Sequence, residues 1–532
     1  MIRMLAQRTL GDRPRRTAIL LLGLGIAVGV MITLLSIGQA VLVQAEDKAL
    51  VGGGDLLLLP AGIDVEVMKI GGPTGMYSML DNARFLFRQV LSGPRFAGSL
   101  ARLTPEYAAL PLAAASPGLV EKVVYVRKAG AASAAASKAL AHGFIPSLDV
   151  AAGGPTAEFL RQGIAWSDNH SDRMWVDPPV DSLYNDMDRF HLPARTLPDL
   201  DRWAEWLYFN FAGPSGVFGY VSMIVGGDIE TGQGRGGPLL QIQEPGKPPR
   251  RFTVEFPLEP GAISLEHVDL RLGEHNTAIF RDGAYRLHLE WDEQQGPVRA
   301  DLVVRPLLDL YYPPVLLHES ERFVSGYTVP ALRTTVSGTI HAPGVYLELH
   351  DAPGYHDHNW GTWRSVNWEW GTASSDAGAH VLLYGRIQHP DIDPGRAGAG
   401  IFLLLAQGRT ASQRGGVLAL FRPREIHYEW KEAPELPGHP ERVPARLLMQ
   451  DAREAEATAA ISARGDRIAV EIGVEAVTTT PPRPGEELVF LQLRGHYSVQ
   501  AQIAGRELRF DTPGFAEVFV PPRAAGTRPS SP

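Results

Sequence analysis

From about residue 200 onward the apolar positions recur with a period of two. Phe252, Val254, Phe256 and Leu258 alternate with Arg251, Thr253 and Glu255. Tyr285, Leu287, Leu289 and Trp291 alternate with Arg286, His288 and Glu290. Ile468, Val470, Ile472 and Val474 repeat the pattern, as do Tyr497, Val499, Ala501 and Ile503. Such alternation marks strands with one buried and one wet face. Asp282-Gly283, between two such runs, is the dipeptide of a two-residue hairpin turn. Strands joined by short turns, with little helical periodicity between them, predict an all-β body of antiparallel barrels or sandwiches. The body is too long for one small barrel. The break at "SGTIHAPGVY" and "DAPGYHD" divides it into two similar lengths, 156–345 and 346–525, each read as one barrel, with a disordered tail at 526–532.

The N-terminal pattern is different. Thr17 to Val43 is an uncharged apolar run, longer than the roughly 20 residues a helix needs to span a bilayer. Arg3, Arg8, Arg13, Arg15 and Arg16 precede it, and Glu46, Asp47 and Lys48 follow. Residues 1–45 are therefore expected to be a cytoplasmic stub and a single-pass anchor in the cytoplasmic membrane, with the body on the periplasmic side. A cleaved signal peptide would have a shorter apolar core. Residues 46–155 read as a mixed linker. Leu56 to Leu59 suit a buried strand, Met79 to Leu91 show a loose helical pattern, and "AGAASAAASKALAHG" suggests a connector with one short helix.

Composition narrows the function classes. The chain has 532 residues, 45% apolar and 20% charged, which suits folded domains. Its net charge of −9 and the absence of a long basic tract in the body argue against a nucleic-acid partner. With no cysteine there are no disulfides, thiolate metal sites or cysteine nucleophiles. Phosphate loops, dinucleotide fingerprints and Gly-x-Ser-x-Gly elbows are missing. The acidic stretch 167–179 lacks the Gly and Glu placement of a calcium loop and reads as solvated loop. His318, Glu319 and Glu321 follow "YYPP" and read as a polar turn.

The densest chemistry lies in "HDAPGYHDHNWGTWRSVNWEWGTA", residues 350–373, which holds His350, His356, Asp357 and His358 and four of the ten tryptophans, Trp360, Trp363, Trp368 and Trp370. The histidine spacing matches no zinc signature, so neither metal nor other cofactor is expected. Tryptophan faces form an apolar wall and stabilise cations through their quadrupole. A histidine or carboxylate set in such a wall has a shifted pKa and can donate a proton. Glu205, Trp206 and Tyr208 lie on an aromatic-rich strand that could face the same pocket. Equally, these tryptophans could be core, since alternate positions such as Trp368 and Trp370 pack one strand face.

"GYHDHNWGTW…NWEWG" resembles the core motif of the carotenoid 1,2-hydratase (hydroxyneurosporene synthase) family and its AttH-like relatives. "DRWAEWLYFNF" with "GYVSMIVGG" is similar to that family's opening strands, and "RELRFDTPGFAEVF" to its closing segment. The resemblance covers about residues 160–525. It implies two tandem lipocalin-like (calycin) barrels with a ligand pocket near their contact. It also implies acid-assisted hydration or cyclisation of a hydrophobic, isoprenoid-type substrate. By position, His358 and Trp360 match the family's motif histidine and tryptophan. Tyr384 matches its strand tyrosine, and Arg386 stands where the family has an acid. Asp357, Glu369 and Asp376 are the remaining candidate proton donors. Catalytic roles thus fall to His358, Asp357 and Tyr384, and the substrate wall to Trp360, Trp363, Trp368, Trp370, Trp206, Tyr208 and Glu205. The alternative is a non-catalytic lipocalin-like carrier of a lipophilic ligand. Residues 1–70 resemble the first membrane helix of ABC-exporter permeases of the macrolide-exporter and lipoprotein-release type. That makes exporter components candidate partners, although no second apolar run of spanning length follows.

Overall fold

The computed structural model describes residues 84–91, 118–126, 137–151, 154–191, 193, 202–229, 232–307, 310–319, 324–363, 366–375, 379–388, 401–408, 415–433, 439–452, 465–480 and 488–523. The expected anchor, the permease-like start, Leu56–Leu59, Glu321, Asp376 and the tail lie outside them. Among the described residues no helix is long and apolar enough to cross a membrane.

The chain divides into two compact units, Met1–Ser78 with Ala114–Asp168 and Met79–Ala113 with Asn169–Pro532. In the first, β1 (Gly118–Val126) and β2 (Ser137–Phe144) form an antiparallel hairpin, followed by two short helices, α1 (Pro146–Ala151) and α2 (Pro155–Arg161). The second half of the alanine-rich stretch is thus a strand rather than the expected connector helix. Its backbone pairs with β1 from Gly118↔Phe144 to Val126↔Ser137, a tertiary partner that overrides alanine's helix propensity.

In the second unit, α3 (His170–Val176) falls within the acidic stretch expected to be loop. It forms there because Asn169 and Asp172 close a reciprocal capping box, which satisfies backbone N–H groups left free at a helix start. Next, α4 (Val180–Met187) buries Leu183, Tyr184 and Met187. Asp181 on this helix accepts from the backbone N–H groups of Asp282 and Gly283, at 3.0 and 2.8 Å. Those two residues have φ of 55° and 71°, the left-handed pair that a two-residue hairpin turn requires. Tyr184 stacks on Phe280 at 4.9 Å. The helix is therefore pinned to a hairpin at its start and delivers Asp188, directly after its end, into the core.

Two antiparallel sheets follow. The first contains β3 (Trp203–Ala212), β4 (Phe218–Gly226), β5 (Arg235–Gln243), β6 (Arg250–Thr253), β7 (Phe256–Pro257), β8 (Asp269–Leu272), β9 (Asn276–Arg281), β10 (Ala284–Glu293), β11 (Gly296–Pro306), β12 (Tyr312–Glu319), β13 (Val324–Ala342) and β14 (Val345–Thr362). Its order is β6-β5-β4-β3-β14-β13-β11-β10-β9-β8, with β7 beside β5 and β12 beside β13. The second contains β15 (Asn367–Ser374), β16 (His380–Gln388), β17 (Phe402–Gln407), β18 (Gly416–Phe421), β19 (His427–Glu432), β20 (Arg442–Ala452), β21 (Arg467–Thr480), β22 (Val489–Ile503) and β23 (Arg506–Val520). Its order is β18-β17-β16-β15-β23-β22-β21-β20-β19.

Neither sheet closes. The outermost strands of each, β6 and β8 in the first and β18 and β19 in the second, are not hydrogen-bonded to each other. The expected pair of closed lipocalin-like barrels is thus corrected to two open antiparallel sheets. The end strands of the first are only four residues long, too short to carry a closing ladder. The sheet changes between Thr362 and Asn367, not between 345 and 346, because β14 pairs along its length with β13 and then with β3. One apolar core fills the first sheet and reaches Trp370, Phe402 and Leu404 of the second. Another, around Tyr384, Leu403, Phe421, Leu447 and Tyr497, fills the second.

Candidate functional site

The strand β14 lies between β3 and β13 in the first sheet, and its second half, from Tyr355 on, is largely buried on both faces. Successive side chains point to opposite faces. His356, His358 and Trp360 share one face; Tyr355, Asp357 and Asn359 share the other. On the neighbouring β3 the register pairs His356 with Phe209, His358 with Leu207 and Trp360 with Glu205. It pairs Tyr355 with Asn210, Asp357 with Tyr208 and Asn359 with Trp206.

The histidine face is a buried chain of alternating acids and bases. Asp188, His356 and His358 are fully buried. Asp188 accepts from His356 Nε2 at 2.8 Å and from His358 Nδ1 at 2.9 Å. His358 Nε2 donates to Glu205 Oε1 at 2.8 Å, and His356 Nδ1 to the Tyr208 carbonyl at 2.9 Å. Glu205 also accepts from the backbone N–H of His191 at 2.8 Å and lies 3.2 Å from its Nδ1. Burial alone would lower the His358 pKa, but hydrogen bonds and charge from Asp188 and Glu205 raise it from 6.5 to about 9. Burial alone would raise the Asp188 pKa, but His356 and His358 lower it from 3.8 to about 2. His358 is thus an imidazolium clamped between two carboxylates. Trp360 stacks on the His191 ring at 3.7 Å and 8°. Gly326 permits this packing, since a Cβ there would lie 1.8 Å from the indole.

His191 Nδ1, Glu205 Oε1 and His358 Nε2 lie within 4.8 Å of one another, a donor set that suits a divalent ion. Without an ion, His358 Nε2 and Glu205 Oε1 share a 2.8 Å hydrogen bond, whose proton a bound metal would replace.

The other face is aromatic around a single carboxyl. Asp357 is buried, at 4% exposure. Tyr355 Oη donates to its Oδ2 and Asn359 Nδ2 to its Oδ1, each at 2.9 Å. Tyr355 Oη is 2.8 Å from Tyr327 Oη, which accepts from Trp370 Nε1 at 3.0 Å. Asp357 forms no ion pair among the described residues. Burial, with a further push from Glu517, holds its carboxyl well above the usual range despite the two hydrogen bonds. Tyr208 lies 5.9 Å ring to ring from Trp370 and 5.2 Å from Tyr220, and its buried hydroxyl has no hydrogen-bond partner within normal distance and angle among the described residues. Next to these rings Trp206, Trp363 and Trp368 form a half-buried cluster, with centroids 4.6 to 6.2 Å apart. Trp368 continues it to Phe519 at 4.5 Å and Phe490 at 5.4 Å.

The residues singled out from sequence therefore separate. Asp357, Trp206, Tyr208, Trp363, Trp368 and Trp370 gather where the two sheets meet. His358, Trp360 and Glu205 lie inside the first sheet. Tyr384 joins neither group: it is fully buried in the second sheet's own core. Arg386 pairs with Glu369 of the adjacent strand, and Tyr428 donates to the same carboxylate at 2.6 Å. The sequence reading missed Tyr355, although the period of two places it beside Asp357. It also missed Asp188, Tyr327 and Glu517, which no local pattern connects with the motif.

No family model and no curated protein matches the chain. Among solved structures it is similar to a Nitrosomonas europaea protein provisionally named AttH, at 13% identity and TM-score 0.39, over 62% of this chain and 97% of that one. CghA with Sch210972 aligns at 13% identity and TM-score 0.39, over 64% and 97%. Kievitone hydratase from Nectria haematococca aligns at 9% identity and TM-score 0.37, over 62% and 94%. Likenesses this distant assign no chemistry to the present chain.

Proposed function

We propose that this chain protonates a double bond of a hydrophobic, isoprenoid-type substrate at the seam between the two sheets, leading to hydration or cyclisation. Asp357 is the proton donor, and its environment carries the reading: a buried carboxyl, lifted well above its usual range by desolvation and lacking an ion-pair partner among the described residues, favours its protonated form and can act as an acid. Tyr208, Tyr327, Tyr355 and Trp370 surround it with electron-rich rings, which stabilise a carbocation by about 0.5–2 kcal/mol each when desolvated. The half-buried cluster of Trp206, Trp363 and Trp368 offers the apolar wall along which an elongated substrate would lie. The motif's resemblance to carotenoid 1,2-hydratases supports the same substrate class.

His358 serves differently in this reading. Its two nitrogens are committed to Asp188 and Glu205, so it holds the strand that presents Asp357 rather than delivering a proton itself. The uncharged run Thr17–Val43 supports placing the protein in the cytoplasmic membrane with its body outside. Protease protection in spheroplasts tests that placement.

A second reading, a non-catalytic carrier of a lipophilic ligand, is favoured by Arg386, which neutralises the acid on that side of the second sheet. Incubation of the full chain with polyene and isoprenoid lipids in heavy-oxygen water separates the two. An alcohol carrying the label establishes hydration. A co-purifying lipid that stays unchanged establishes the carrier.

A further inference from the structure

The seam holds a second carboxyl that the sequence motif does not include. Glu517 lies on β23, opposite Trp370 in the register between β15 and β23. Its side chain therefore shares with Trp370 the sheet face that looks toward Asp357. Its Oε2 accepts from Trp368 Nε1 at 2.9 Å and its Oε1 from Gln492 Nε2 at 3.1 Å. Gln492 Oε1 in turn accepts from Tyr220 Oη at 3.2 Å and Gln241 Nε2 at 3.1 Å, so β22 and β23 are tied across the seam to β4 and β5. Arg251 Nη2 donates to Tyr220 Oη at 3.2 Å. The Tyr208 hydroxyl is pushed up first by burial and then by the charge of Glu517, against a weak interaction with Asn210. Glu517 is half-buried whereas Asp357 is buried.

We infer that Glu517 is the general base of this site, taking a proton from the water molecule that adds to the substrate. The inference rests on Asp357 being the acid. Asp357 gives its proton to one carbon of the double bond, forming a C–H bond and a cation on the neighbouring carbon. Water attacks that carbon, a C–O bond forms, and the proton released from the water passes to the Glu517 carboxylate. The substrate has gained one water molecule. One proton has moved from Asp357 to Glu517 and returns through solvent before the next turnover. The surroundings suit this division. Burial raises the Glu517 carboxyl, opposed by the Trp368 and Gln492 N–H donors and by the Arg251 charge, whereas Asp357 is raised further, well above its range, with no guanidinium near it. Two carboxyls whose environments differ in this way are suited to the acid and base roles.

The test uses the full chain in detergent, with squalene and lycopene as substrates in deuterated heavy-oxygen water. In Glu517→Gln, deuterium uptake at carbon should continue while oxygen incorporation falls by about 10²–10⁴-fold, the usual range for a lost general base. Glu517→Asp should recover part of it. Oxygen incorporation at the wild-type rate in Glu517→Gln would overturn the role of Glu517 and leave Asp357 untouched. A binding measurement decides independently of turnover. N,N-dimethylfarnesylamine, a cationic mimic, should bind the wild type at least about tenfold more tightly than farnesene, with the preference lost in Glu517→Gln. Equal binding of amine and hydrocarbon by the wild type would overturn the inference. Absence of deuterium uptake in the wild type would remove the Asp357 reading and this one together.

Discussion

The two faces of β14 are built from the same few residues and solve opposite electrostatic problems. On one, His356 and His358 meet Asp188 and Glu205, and every buried charge has a counter-charge within hydrogen-bond distance. On the other, Asp357 meets a tyrosine hydroxyl and an amide but no cation. A buried ion is tolerated only when it is paired; without a partner it shifts its pKa and turns neutral. Neighbouring positions in "YHDHNW" therefore acquire contrasting properties from the sheet alone. The paired face fixes geometry, and the unpaired face keeps a proton in an apolar place. What separates them is one step in a period of two.

Removing the central cation of the paired face should have the largest effect. His358→Ala leaves Asp188 and Glu205 without their shared partner and should cost about 3–5 kcal/mol of stability, the range for breaking a buried pair. Denaturant unfolding should show the loss, and a variant as stable as the wild type would show that the pair is not structural. Asp357→Asn should do the reverse. Turnover should fall by about 10²–10⁴-fold, the scale of a lost general acid, without loss of stability. Because the folded Asp357 pKa lies above the unfolded one, the carboxyl lowers stability as pH rises past the ordinary carboxylate range. The asparagine variant should therefore melt higher than wild type at neutral pH, with the difference vanishing in acid.

A pH series sharpens the contrast from the paired side. The raised His358 pKa gives stability that is complete below 6.5 and declines as pH rises through about 9. The lowered Asp188 pKa gives stability that is complete above 3.8 and declines as pH falls through about 2. Both contributions are whole between 3.8 and 6.5. Unfolding free energies across this range should show the alkaline limb in the wild type and a flatter one in His358→Gln. The smallest effect belongs to Tyr208→Phe. Its hydroxyl is buried with no hydrogen bond of normal geometry among the described residues, so removing it should be neutral or stabilising by about 1 kcal/mol. A clear loss of stability would show that the hydroxyl is satisfied in solution.

Strand positions were legible where alternation ran uninterrupted. The runs at 285–291, 468–474 and 497–503 lie within β10, β21 and β22. The run from Phe252 to Leu258 breaks into β6 and β7 where the pairing with β5 stops beside Pro238, which has no N–H for the ladder. Closure was not legible. An open sheet and a barrel share the same alternation, and what decides between them is the length and stagger of the edge strands. The site was half legible. Period two separates Asp357 from His358 and joins it to Tyr355, yet it cannot supply Asp188, which reaches His358 from the end of α4, or Glu517, which arrives on β23, the last described strand. Trp360 and Trp370 look equivalent in the motif. They fall in different environments because the chain changes sheet between them.

The central claim is that Asp357 remains a protonated acid at neutral pH while its neighbour His358 is held charged. Infrared spectroscopy of the carboxylic-acid C=O stretch, comparing wild type with Asp357→Asn across neutral pH, addresses it directly. The account predicts a protonated-carboxyl band that persists in the wild type at neutral pH and disappears in the asparagine variant. Identical spectra from the two proteins would mean that Asp357 is ionised, and the unpaired face would lose its acid.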